Sequence, residues 1–218
     1  MTEHYNVAIA TPGRTFHAEY VKSLVKTCRE LSSRGITYTF LSRYSSFVSS
    51  AREMTATDTG THSFHTNKIA EGRFTCDKIF WIDSDIDWEP EDFLELYNSS
   101  EDIISGLYAL DAAGLVAANI IDETGLMRSV DCRHFMFDVD PVSVGGVGFG
   151  FVCVKASVWE NIPQPWFLIV RAPFGENKTM VNVSEDYSWC ARARNAGYDI
   201  KVHPLVKVNH HKEVVYRV

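Results

Sequence analysis

The chain has 218 residues, 45% hydrophobic and 22% charged, which is ordinary globular composition and enough length for one sizeable core. Lys and Arg number 21 against 28 Asp and Glu, and the resulting formal charge of −7 repels a phosphate backbone, so nucleic acid is disfavoured as a partner. The 5 cysteines (Cys28, Cys76, Cys132, Cys153 and Cys190) form no C-x-x-C pair, which speaks against a disulfide framework or a zinc site and for free thiols in a reducing compartment.

The start, "MTEHYNVAIATPG", is acidic and polar with too short an apolar run for a signal peptide, and no stretch of about 18 apolar residues occurs. A soluble, cytoplasmic protein without a membrane span is expected. Val7 to Ala10 reads as a short buried strand cut off at Pro12-Gly13. Val21, Leu24, Val25, Cys28 and Leu31 then recur at helical spacing, and Gly35 supplies a stop. Ile36 to Ser42 is rich in β-branched and aromatic residues and reads as the next strand. Strand, helix and strand at this spacing predict a βαβ unit, hence a parallel sheet with helices packed on it.

A polar, partly helical segment with Arg52 and Lys68 leads to the strand Lys78 to Ile82, apolar enough to be covered on both faces. Pro90 opens a helix with Phe93, Leu94 and Tyr97 as its stripe, and "DIISGLYA" is a further strand. Beyond it, "NIIDETGLMRSV" predicts a hairpin around Glu123 to Gly125. "GGVGFGFVCVK" predicts a glycine-rich loop entering a strand, followed by the short helix "ASVWENI". Pro163 to Val183 shows no convincing period and reads as a long, mobile loop. Ser184 is placed to cap a helix with Tyr187, Cys190 and Ala193 inward and Gly197 as its stop. A strand and an extended segment close the chain at His210 and His211. No repeat, linker or low-complexity tract interrupts the pattern, so one α/β domain is expected.

Three constellations carry chemistry. Asp83, Asp85 and Asp87 alternate where an apolar inner strand ends, the edge at which open α/β sheets gather ligands. Converging carboxylates without a counter-ion are costly, and a hard divalent cation such as magnesium or manganese removes that cost. The plainer reading is a solvated acidic turn that caps the helix at Pro90. Ser184-Glu185-Asp186 at a helix start is either a set of capping carboxylates or a general base with a neighbour that orients substrate. His210 and His211 are adjacent in an extended segment and point to opposite faces, so at most one joins a given ion, and a histidine beside aspartates suits manganese better than calcium. Two weaker signals are Thr11-Pro12-Gly13-Arg14, a strand-end turn able to meet a nucleotide, and Arg52, a phosphate or base contact or else a solvated helix residue.

Taken in order, these pieces resemble the nucleotide-sugar-dependent glycosyltransferases of the GT-A fold. "VAIATPG" looks like their first strand and nucleotide loop, and "SSARE" like the Arg-containing segment before the metal strand. "IFWIDSDIDWEPEDF" looks like the D-x-D strand, "GGVGFGFVCVKASVWENI" is similar to the glycine-rich acceptor segment, and "SEDYSWCARARNAGYDIKVHPLVKVNHH" to the E-D helix and terminal metal histidine. The compact length looks most like the small single-domain transferases of bacteriophages and large DNA viruses. The resemblance implies a mixed, mainly parallel Rossmann-like sheet flanked by helices, with residues 1–110 binding the nucleotide sugar and residues 111–218 binding acceptor and carrying catalysis. It further implies that Thr11, Pro12, Gly13, Arg14, Arg52, Asp83, Ser84 and Asp85 contact the donor, and that Asp83, Asp85 and His210 hold manganese or magnesium. Asp186 is then the general base, with Glu185 nearer the acceptor. Glu53 stands where many relatives carry Asn, a departure that touches the nucleotide contact. The implied reaction moves a hexose or deoxyhexose from a UDP-sugar to a hydroxyl acceptor, a glycan, with inversion. The competing readings are a nucleotidyltransferase, a sugar- or nucleotide-binding module without turnover, and transfer to a modified base in viral DNA.

Overall fold

Strand β1 (Glu3–Ala10) begins exposed and ends in Val7, Ala8, Ile9 and Ala10, all fully buried, because only its second half lies between two layers of helix. The structure, a computed structural model, describes residues 2–60, 66–123, 125–174 and 179–212. After β1 come α1 (Ala18–Ser33), β2 (Tyr38–Leu41), α2 (Val48–Thr57), β3 (Phe74–Ile82), β4 (Ile86–Asp87), α3 (Pro90–Asn98) and β5 (Ile103–Leu107). The second half adds β6 (Leu115–Ile121), β7 (Met127–Asp131), β8 (Val142–Ser143), β9 (Gly146–Val147), β10 (Phe151–Lys155) and α4 (Ala156–Asn161). It closes with β11 (Val170–Phe174), β12 (Thr179–Val183), α5 (Glu185–Asn195), β13 (Lys201–Lys207) and β14 (Asn209–His210).

The 7-stranded sheet has the order β2-β1-β3-β10-β5-β13-β8. Strands β2, β1, β3, β5 and β13 run one way, and β10 and β8 the other. The sheet is thus mixed and mainly parallel, as expected, with β10 of the second half inserted between two strands of the first. Alternate residues of each strand point to opposite faces. Val7, Ile9, Phe80 and Ile82 meet Tyr20 and Leu31 of α1 and Phe93 and Leu96 of α3 on one side. Ala8, Ala10, Ile79 and Trp81 meet Ala56 of α2, Trp159 of α4 and Trp189 of α5 on the other. All 5 cysteines are free thiols. No helix among the described residues is long and apolar enough to cross a membrane.

Helix α1 forms where expected but is rotated: Tyr20, Ser23, Thr27 and Leu31 face inward, while Val21 and Val25 are 45% and 55% exposed. Trp88 causes the rotation. Its backbone N–H donates to Ser23 Oγ (3.1 Å) and its indole N–H to Thr27 Oγ1 (2.8 Å), so small hydroxyl residues seat a large ring where a valine stripe would leave two buried donors unpaired. The segment Pro163 to Val183 is also more ordered than its composition suggests. Trp166 and Phe167 are core residues, and β11 and β12 form an antiparallel hairpin, with residues 175–178 outside the described part. The entry to that hairpin is tethered by polar contacts that no apolar period reveals. Glu53 Oε2 accepts from the Phe167 N–H (2.8 Å), and Arg192 donates to the carbonyls of Pro165 and Trp166. The expected hairpin around Glu123 to Gly125 is the β6–β7 turn, with residue 124 outside the described part.

Candidate active site

Asp83, Ser84 and Asp85 form the turn that follows β3, and four backbone bonds fix it. The Asp83 N–H donates to Gly150 O (3.0 Å), the Ile86 N–H to Asp83 O (3.1 Å), the His17 N–H to Ser84 O (2.9 Å) and the His211 N–H to Asp85 O (2.8 Å). Gly13 lies against this turn, where a Cβ would come within 3.1 Å of Ser84 Oγ. The end of the chain reaches the turn because β14 pairs antiparallel with β4, setting Asn209 opposite Asp87 and His210 opposite Ile86.

That register decides the roles of the two histidines. His210 Nε2 lies 3.2 Å from Asp85 Oδ2, whereas His211 turns to Asp87 and stacks on His17 with ring centroids 3.9 Å apart. Their opposite directions are those of neighbouring residues in an extended strand. His210 Nδ1 is 2.8 Å from the Ala109 carbonyl, which can only accept, so Nδ1 carries a proton, and Nε2 donates to Asp85 when the ring is protonated. The Asp85 hydrogen bond raises the His210 pKa above its ordinary value against the opposing effect of burial. For Asp85, burial pushes upward and is outweighed by the hydrogen bond and charge of His210 and the charge of Lys212, so the net shift is downward. Asp87 also accepts from Asn209 Nδ2 (3.1 Å) and so fastens β14. Helix α3 is capped by Glu89 and Asp92 in a capping box, so the plainer reading of the acidic turn as the cap of this helix does not hold.

A cleft of about 320 Å³ runs past Pro12, Gly13, Tyr44 and Arg52 to Asp83, Ser84 and Asp85. A second, of about 740 Å³, meets it at Ser84 and Asp85 from the side of His17, His211 and Lys212. Thr11 departs from expectation: it is fully buried, its hydroxyl is 2.5 Å from the Tyr20 hydroxyl, and its N–H donates to Leu41 O, so its hydroxyl and amide are both engaged away from the cleft. The Gly13 N–H is likewise taken, by Arg43 O (3.0 Å). Arg14 is exposed beside the cleft, 5.9 Å from the centroid of the Tyr44 ring. Tyr44, half exposed, was not singled out from sequence; an aromatic just past the end of β2, beside the end of β1, is the signal that could have found it.

Arg52 is buried rather than solvated. Its Nη2 donates to both Asp83 oxygens (3.0 and 3.2 Å), its Nε to Glu185 Oε1 (3.2 Å) and its Nη1 to Phe149 O (3.2 Å). Burial disfavours the charge, but Asp83, Asp186 and Glu185 outweigh it and raise the Arg52 pKa. Asp83 therefore faces Arg52 and, as placed, does not complete a metal shell with Asp85 and His210. Glu185, expected nearer the acceptor, is buried against the same guanidinium. Asp186 is half-buried. Its Oδ1 accepts from the Ser184 hydroxyl and from the Tyr187 N–H (2.8 Å), and Oδ2 accepts no hydrogen bond among the described residues. Ser184 caps α5 in position only, since its side chain bonds Asp186 and not the helix amides.

The glycine-rich segment has a packing reason. A Cβ at Gly148 or Gly150 would come within 2.3 Å or 2.6 Å of the Tyr108 phenol, which accepts the Gly150 N–H (3.0 Å) and packs edge-on to His210 at 5.4 Å. Tyr108 thus backs the metal-candidate histidine, and the glycines make room for it. Burial, then the charge of Asp83, holds the Tyr108 phenol protonated.

Superposition on known structures over nearly the whole chain defines the fold. It is GT-A-like. The structure of A197 from STIV, a viral protein, superposes with TM-score 0.53 at 18% identity over 98% of this chain and 97% of that one. GalNAc-T7, solved with UDP, GalNAc and manganese, gives 0.51 at 10% identity over 94% of this chain, which spans 44% of that one. The catalytic domain of Drosophila β1,4-galactosyltransferase 7, solved with xylobiose, gives 0.50 at 14% identity over 97% of this chain and 71% of that one. Neither a protein-family model nor a curated protein sequence matches the chain. Because a GT-A-like fold does not by itself fix an activity, function has to rest on the site.

Proposed function

We propose that the protein is a metal-dependent glycosyltransferase that moves a hexose or deoxyhexose from a UDP-sugar to a hydroxyl acceptor, a glycan, with inversion. The observation that carries this reading is the Asp85–His210 pair. Two ligands of one octahedral ion lie roughly 3 Å apart when each is about 2.1 Å from it, and Asp85 Oδ2 and His210 Nε2 are 3.2 Å apart. The backbone carbonyl behind Nδ1 is the outer contact that orients a metal-binding histidine. No group of three or more His, Cys, Asp or Glu among the described residues is arranged to hold an ion, so the rest of the shell falls to diphosphate oxygens and water, as is usual for magnesium and manganese. The known transferases of this fold that were solved with manganese and UDP or UDP-Gal support the same choice of donor and ion.

Pro12, Gly13 and Tyr44 line the cleft in which the base and ribose lie, Tyr44 offering its ring face to the base. Asp83 and Ser84 face the ribose. Asp85 and His210 hold manganese or magnesium, which when bound neutralises charge on the departing diphosphate. Lys212, 3.7 Å from Asp85, adds a second positive charge at that edge. Asp186 Oδ2 takes the acceptor proton as the hydroxyl attacks the anomeric carbon. The donor cleft is built from residues 1–110 and acceptor handling falls to residues 111–218, but His210 and Lys212 cross from the second half to complete the donor end.

Incubation with manganese and a panel of UDP-sugars, with released UDP as the readout, tests the reading. Turnover is expected with one or a few sugars. Asp186→Asn should keep manganese–UDP binding and lose about 100- to 10,000-fold in transfer. Normal transfer by Asp186→Asn removes the base assignment, and no UDP binding or release with any sugar removes the whole reading.

A further inference from the structure

Arg52 lines the donor cleft and bonds Glu185 at the start of the acceptor-side helix α5, and it does so from a buried position. Its side chain is 5% exposed and that of Glu185 10%, whereas Asp83, on the other side of the guanidinium, is 29% exposed and opens into the cleft. One guanidinium therefore serves two carboxylates, and the triad carries a formal charge of −1. A planar fork with donors on both edges can bridge two carboxylates and the Phe149 carbonyl at once, which a lysine ammonium cannot. While Glu185 draws on the guanidinium, Asp83 is only partly neutralised and keeps acceptor strength for groups in the cleft. A Glu185 without charge would leave Arg52 and Asp83 as a one-to-one pair and weaken what Asp83 offers.

Resting on the donor reading above, we propose that Arg52 is a positioning residue that couples the first turn of α5 to the donor cleft, so that donor affinity depends on Glu185 although Glu185 lines neither cleft at the Asp83–Asp85 turn. The coupling runs in both directions, because a binding linkage is reciprocal. A donor hydroxyl that hydrogen-bonds Asp83 would loosen its hold on Arg52 and tighten that of Glu185, fixing the start of α5 next to Asp186. Filling the donor cleft thus orders the acceptor side, with no moving lid required.

The test is calorimetric titration of UDP plus manganese into the wild type, Glu185→Gln, Asp83→Asn and the double variant, with thermal melts alongside. Glu185→Gln should weaken binding about tenfold, and the double variant should bind no worse than Asp83→Asn alone, because the two act through one guanidinium. Arg52→Lys, which keeps the charge and loses the fork, should weaken binding as well and serves if Glu185→Gln does not fold. A Glu185→Gln or Arg52→Lys protein that melts lower but binds UDP–manganese like the wild type has lost a merely structural contact, and the coupling is then wrong. Full additivity in the double variant also overturns it. A wild type that binds no UDP–manganese removes the donor reading, and this inference with it; a wild type that binds while Glu185→Gln is unchanged removes the inference alone.

Discussion

Asp85 and His210 each do something the other makes possible, and the consequence is a pH dependence of definite sign. The His210 pKa is raised above 6.5 by the Asp85 hydrogen bond. In the metal-free protein the stability this pair contributes is fully present below the unfolded histidine value and is lost as pH rises through the raised folded value. The Asp85 pKa is lowered from 3.8, so its share is present above the unfolded carboxylate value and is lost as pH falls through the folded one. Metal binding has the opposite dependence on the histidine, because an ion needs the Nε2 lone pair that the proton occupies. Manganese affinity should rise with pH across the His210 titration, with proton release at its acid end. Calorimetry in buffers of different ionisation enthalpy measures this, and affinity that is flat in pH, or unchanged in His210→Gln, contradicts it. At this scale the sequence was informative about Asp85 and His210, since strand alternation alone sends the two histidines to different partners. It does not reveal the hydrogen-bond partners of Thr11, Asp83 and Arg52. Thr11 and Asp83 are read from strand ends and Arg52 from a polar, partly helical segment, but hydrogen bonds to Tyr20 and Glu185, distant in sequence or hidden in the core, decide where their polar atoms go.

Elements were legible where a period had one cause and misread where it had two. Helix α3 follows its signals: Pro90 opens it, Phe93 and Leu94 are buried, and the Lys78 ammonium reaches the Tyr97 and Ser99 carbonyls at its end. Helix α1 carries two stripes at helical spacing, and Val21 and Val25 face out while Leu31 stays in the core, because the inner stripe must bond Trp88. Thr27→Val should therefore cost about 1–3 kcal/mol by leaving the buried Trp88 indole N–H without an acceptor. Val25→Ser, which a valine-stripe helix would not tolerate, should stay within about 0.5 kcal/mol of the wild type. Denaturant unfolding of both variants distinguishes the two orientations, and the reverse ranking would contradict the observed one. The hairpin β11–β12 escaped notice for a different reason: its approach is held by Glu53 and Arg192 contacts to backbone, which leave no trace in hydrophobic periodicity.

At the scale of the molecule, the sequence pattern predicts the layers but not the sheet order. Strand, helix and strand spacing implied helices on both faces, and the two hydrophobic clusters confirm them. The insertion of β10 between β3 and β5, running against both, has no local signature, because a fully buried strand reads the same in either direction. That insertion sets the Gly148 to Gly150 loop against Tyr108 and brings Gly150 onto the Asp83 amide, so the non-local step builds the floor of the site. The return of β14 onto β4 is the other such step, and it joins the two ends of the proposed reaction centre. We propose that this closure creates a metal site that holds a nucleoside diphosphate. Titration of UDP into the protein with and without manganese tests it most directly. Binding is expected to require the divalent ion and to be lost in Asp85→Ala and in His210→Ala, with thermal melts confirming that both variants fold. UDP that binds equally well without a divalent ion, or that binds the two variants like the wild type, would contradict it.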